Sequence, residues 1–130
     1  MGRGYQCRRV RPYPCSALGV DQVSLDVYLT CPCCEETVYD ANITHNLGKI
    51  AKEAGIYQAL WRPDECGITT ADQLVPILGP GLTYLREHID ELRELEPSNG
   101  WGTVENLIDF TQDYLRAARH HDKATVTVWR

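Results

Sequence analysis

A chain of 130 residues, 43% hydrophobic and 24% charged, is long enough for one packed domain that buries about two-thirds of its unfolded surface. Its net charge of −5 is unevenly spread: Arg3, Arg8, Arg9 and Arg11 stand without an acid in residues 1–20, which leaves −9 for residues 21–130. So acidic a body argues against nucleic acid as a partner except through the arginine-rich arm, and no apolar run nears the ~20 residues that cross a bilayer.

Residues 1–20 lack periodicity and contain Pro12, Pro14 and three glycines, so they are expected to form an extended basic arm ahead of a single domain over 21–130. Val23, Leu25, Val27 and Leu29 alternate with Ser24, Asp26, Tyr28 and Thr30, the period of a half-buried strand. A second run over 37–43 returns antiparallel, so the hairpin carries three cysteines at its tip. From Thr44 the period becomes helical: Leu47, Ile50, Ala51 and Ala54 share a face, with Thr44 or Asn46 as N-cap and Gly55 as the stop. Residues 56–61 add one more helical turn, ended before Pro63.

Thr70-Ala-Asp-Gln73 has capping-box spacing and opens a short helix that Pro76 limits. Pro80, within Gly79-Pro80-Gly81, suits the first position of the next helix. There Leu82, Leu85, Ile89 and Leu92 form a stripe and Arg86 faces Asp90. Thr103 caps a last helix whose Val104, Leu107, Ile108, Thr111, Leu115 and Ala118 make a buried face. Residues 124–129 alternate again, and the closing strand is placed beside 23–30. The expected fold is α+β, a small antiparallel three-stranded sheet (about 23–30, 37–43 and 124–129) covered on one face by about four helices.

Nothing apolar follows the charged first residues, so a secretory signal is not expected and the chain is placed in the cytoplasm. The six cysteines (7, 15, 31, 33, 34 and 66) then read as thiols or metal ligands rather than disulfides. Cys31-x-x-Cys34 is the sharpest motif, because two thiolates at that spacing grip one zinc ion at about 2.3 Å. A structural zinc needs four ligands, and Cys7 with Cys15 from the arm, or alternatively His45 with Cys66, completes the set. Plain reduced thiols are the bland alternative. A thioredoxin-type redox site fits less well, since strand rather than helix follows the motif.

Two further constellations suggest ligand binding. Asp40, Asn42 and Thr44 fall on one face of the second strand and lead with Asn46 into a helix start, a cradle for a polar or anionic ligand or a capped, solvated strand end. Asn99-Gly100-Trp101-Gly102 is a tight turn that offers its indole as a ligand platform or a core plug. Trp61 and Trp129 read as core or interface residues. No phosphate loop, dinucleotide fingerprint or His-Glu-x-x-His motif occurs, and a Cys–His nucleophile pair has no spacing to support it, so no catalytic residue is assigned.

Cys31-Pro-Cys-Cys34, Tyr39-Asp-Ala-Asn42-Ile-Thr44-His-Asn46, Ala59-Leu-Trp61-Arg-Pro63, Asn99-Gly-Trp-Gly102 and Val126-Thr-Val-Trp-Arg130 together resemble a group of small proteins, without an assigned activity, encoded by tailed bacteriophages and some bacteria. The resemblance spans about residues 23–130 and implies a phage or prophage accessory protein in a bacterial cytoplasm. The expected function is non-enzymatic capture of a polar small molecule, in its sharp form a nucleotide-like ligand, or of a host protein, on a scaffold stabilised by zinc. A virion assembly component is the alternative and a thiol- or metal-dependent enzyme the second alternative; a homo-oligomer is compatible with either binding role.

Overall fold

The computed structural model describes residues 24–97 and 102–130. The arm, with Cys7 and Cys15, and the turn residues Asn99 and Trp101 lie outside the described residues.

Three strands form one antiparallel sheet: β1 (Ser24–Thr30), β2 (Thr37–Thr44) and β3 (Thr125–Trp129), in the order β2-β1-β3. The closing strand does lie beside the first, with Val27 opposite Val128 and Leu29 opposite Val126. Strict alternation decides which side chains are buried: Leu25, Val27 and Leu29 are fully covered on the inner face, while Asp26, Tyr28 and Thr30 look the other way. The outer edge of β3 is partly occupied, because Val126 N donates to Thr69 O and Ala71 N to Ala124 O, each at 2.9 Å.

The helices cover the inner face. α1 (Gly48–Glu53) and α2 (Tyr57–Trp61) follow the hairpin, then α3 (Val75–Glu87), α4 (Ile89–Leu92) and α5 (Val104–His120). Gly55 ends the first segment at φ 78, as its position suggested. Thr103 Oγ1 accepts from Asn106 N at 3.1 Å and Asn106 Oδ1 from Thr103 N at 3.0 Å, so a reciprocal cap starts α5. The expected buried face of α5 is present, and Phe110 and Tyr114 extend it toward β2.

Three local expectations are corrected. Thr70–Gln73 does form a capping box, but it opens a 3-10 turn (Ala71–Gln73), and Pro76 sits in the first turn of α3 instead of limiting a helix. Pro80 therefore lies inside α3, at the cost of one backbone hydrogen bond. The reason is tertiary: Gly81, next to it, is buried against Ile56 so closely that a Cβ there would meet Ile56 Cγ2 at 2.1 Å. Finally, His88 breaks the stripe between α3 and α4, and Arg86 donates to Gln112 of α5 rather than pairing with Asp90. Of the two tryptophans read as core or interface, Trp61 is 3% exposed and Trp129 is 62% exposed on the open sheet face.

Candidate metal centre and ligand surfaces

Cys31 continues the inward alternation of β1 and is fully buried. The chain then turns back on itself: Glu35 N donates to Cys31 O and Cys31 N to Glu36 O, both at 2.8 Å, with Glu35 in the left-handed region at φ 61. This closure folds the exposed Cys33 and Cys34 over Cys31. The three Sγ atoms lie within 4.8 Å of one another, and those of Cys31 and Cys33 are 3.0 Å apart.

Tetrahedral zinc at ~2.3 Å from each thiolate sets its sulfurs about 3.8 Å apart. The cluster fits that demand with sub-ångström adjustment. Three cysteines close together are thus able to hold a metal ion, and the set is Cys31, Cys33 and Cys34, one residue more than the Cys-x-x-Cys spacing singled out. No fourth Cys, His, Asp or Glu among the described residues joins them. His45 follows β2 at the far end of the hairpin, a seven-residue strand or roughly 20 Å away. Its Nδ1 accepts from Trp61 Nε1 at 2.7 Å. Cys66 belongs to the 3-10 turn Pro63–Cys66, where its thiol contacts the carbonyls of Arg62 and Pro63 at 3.7 and 3.6 Å. Neither joins the three cysteines.

The row at 40–46 is dispersed. Asp40 and Asn42 do share the outer sheet face, but Asn42 Nδ2 is spent on Ser24 Oγ at 2.8 Å and Asp26 Oδ1 at 2.6 Å across the strand pair. Thr44 Oγ1 accepts from Asn46 N at 3.3 Å and caps a 3-10 turn (His45–Leu47) of three residues. So short a helix presents little dipole to an anion. Carboxylates dominate both flanks of β2: Asp26 and Asp40 line a recess of about 350 Å³ on the open face, and Asp109 and Asp113 a groove of about 380 Å³ against α5. Burial, with help from Asp113 and Asp40, pushes the Tyr39 hydroxyl up to about 12. Asp40 with Asn42, and Asn42 with Thr44, each share one of these recesses, where the carboxylates disfavour an anion. Gly102, whose backbone has φ 121, comes close to Thr44 and Leu47: a Cβ there would stand 2.9 Å from Thr44 Cγ2.

A different surface gathers the positive charge. Lys49 and Lys52 of α1, Arg62 after α2 and Arg130 after β3 line one groove of about 520 Å³ together with His45, Tyr57 and Trp61. Tyr57 and Trp61, one turn apart on α2, stack with centroids 5.3 Å apart and planes 11° from parallel. Lys52 Nζ stands 4.7 Å from the Tyr57 ring centre. Arg62 donates to Glu65 at 2.9 Å, and the neighbouring Tyr57 hydroxyl and Glu65 raise its pKa. Arg130 reaches Trp61 O at 3.3 Å and Asp64 Oδ1 at 3.1 Å, and that guanidinium holds the Asp64 carboxyl below its usual range. Burial lowers the His45 pKa against an opposing pull from Asp26, and the bond from Trp61 fixes its proton on Nε2. No sequence motif marks this groove. The spacings of Lys49 with Lys52 and of Tyr57 with Trp61 were legible, but the register that delivers Arg130 was not.

No protein family, curated protein or solved structure compared with this chain matches it. Among the described residues, no helix is long and apolar enough to cross a membrane.

Proposed function

We propose that this chain is a non-enzymatic binding protein that captures a polar small molecule in the groove between α1, α2 and the end of β3, on a hairpin pinned by a zinc ion at Cys31, Cys33 and Cys34. The observation that carries the reading is the groove. It is of small-molecule size, and the four cations that line it come from three separate parts of an otherwise acid-rich chain. Fixed donors around a small recess supply the orientation that capture needs. The zinc ion would act structurally, holding the β1–β2 turn shut and so the register on which His45 depends. The resemblance to phage-encoded proteins is in keeping with an accessory role in a bacterial cytoplasm.

Native mass spectrometry of the full chain, purified from bacterial cells without chelator, tests both parts. About one zinc per chain is expected, with a lower melting temperature after chelation, together with a non-covalent mass of small-molecule size. A zinc-free protein of unchanged melting temperature removes the metal, and a protein that carries and accepts no small molecule removes the capture role.

A further inference from the structure

The charge pattern of the groove specifies what it holds. Of the chain's 13 Lys and Arg, four precede residue 24, so nine are among the described residues, and four of those nine meet here. No Asp or Glu side chain is among the groove-lining residues. Of the acids on adjoining segments, Glu65 pairs with Arg62 at 2.9 Å, Asp64 with Arg130 at 3.1 Å, and Asp26 acts on His45 from β1, while Glu53 shares α1 with the two lysines and forms no ion pair with them. Lys49 and Lys52 have no carboxylate partner among the described residues, although the chain has more acids than bases. Two cations left unpaired beside two fixed guanidiniums form a local positive field that favours an entering anion.

The aromatic pair adds a second requirement. Trp61 is 3% exposed and backs Tyr57, whose own ring is half-buried and accompanied by the Lys52 ammonium. A cation over a ring occupies the face on which a planar group would stack. We infer that the groove binds an organic phosphate carrying a planar ring, with the ring laid against Tyr57 in place of Lys52 and the phosphate held by Lys49, the displaced Lys52 and Arg130. Guanidinium and ammonium donors suit phosphate oxygens, and His45 adds a neutral Nε2–H donor whose tautomer Trp61 has set. Trp61, stacked on Tyr57, fixes the ring that receives the ligand, and Arg62 stays paired with Glu65.

The assignment rests on the capture reading and names the ligand class for that same groove. Calorimetric titration of the full chain with adenosine 5′-monophosphate, phenyl phosphate, inorganic phosphate and adenosine tests it. Both ring-bearing phosphates should bind at least about tenfold more tightly than either fragment, a difference of ~1.4 kcal/mol, and added salt should weaken them. Lys49→Gln with Lys52→Gln should cut that affinity by about tenfold or more, whereas Arg116→Gln with Arg119→Gln, on the far part of α5, should leave it unchanged. Tyr57→Leu should erase the preference over inorganic phosphate; circular dichroism and melting temperature confirm that each variant folds. Equal binding of adenosine, equal binding of inorganic phosphate, or indifference to the lysine pair overturns the assignment. Failure of all four probes while another kind of molecule is carried through purification overturns the ligand class and leaves the capture reading standing. Failure of all four with nothing carried overturns both.

Discussion

The contact between Gly81 and Ile56 gives a test of how α2 is held in place. Ile56 precedes the two groove aromatics, is fully buried, and presses its Cγ2 onto the backbone of α3 at Gly81. Gly81→Ala would place a Cβ 2.1 Å from that methyl, far inside van der Waals distance, so either the fully buried Ile56 or the α3 backbone must shift. Overpacking of this kind costs ~1–3 kcal/mol, offset by up to ~1 kcal/mol because alanine is the better helix former. A net loss of about 1–2 kcal/mol is expected, or roughly 3–8 °C in a thermal melt. Ile56→Ala alone should cost ~2–5 kcal/mol. In that background the added methyl has a hole to fill, so Gly81→Ala should become neutral or stabilising. Urea unfolding of the four proteins in the cycle measures the coupling directly. If Gly81→Ala stabilises the wild-type chain as much as it stabilises the Ile56→Ala chain, the close approach of α2 and α3 is not there.

Further outcomes follow from burial and protonation. Leu85→Ala and Leu107→Ala truncate fully buried side chains and should each cost ~2–5 kcal/mol in urea unfolding; a near-zero loss would place those positions on the surface. The Tyr114 hydroxyl is buried with no hydrogen-bond partner among the described residues, and burial drives its pKa upward, so Tyr114→Phe should be neutral or stabilising, by up to ~1–3 kcal/mol; a clear destabilisation would mean that the hydroxyl has a partner. The folded pKa of His45 lies below its ordinary 6.5, so the stability it contributes is full above that value and is lost as pH falls through the lower folded pKa. Protonation of Nδ1 breaks the bond from Trp61. The melting temperature should therefore fall more steeply below about pH 6.5 in the wild type than in His45→Gln. Comparison of the two also removes the share of His121, whose pKa is lowered as well; parallel curves would release His45 from this role.

The architecture was legible because each of its elements repeats a period. Val27 and Leu29 alternate with polar neighbours, the 44–54 segment switches to helical spacing, and Val126 and Val128 restore the alternation, so three strands and a helical cover followed from where apolar side chains can be buried. Cys31 and Cys34 announced themselves by spacing. Cys33 joined them only through the Glu35 turn, a backbone reversal that no side-chain period encodes. Pro80 looked like a helix start because its ring forbids a hydrogen bond, yet the close approach of Gly81 to Ile56 keeps it inside α3. The groove lay furthest from view. A charge cluster is a property of distances in space, and Arg130 comes within bonding reach of Trp61 O, 69 positions away, only because β3 pairs antiparallel with β1 and ends beside Asp26. Local sequence decided which segments are strand and helix and which faces they bury, whereas tertiary pairing decided which polar residues meet, since nothing in a side-chain period records the neighbours that a strand acquires from across the fold.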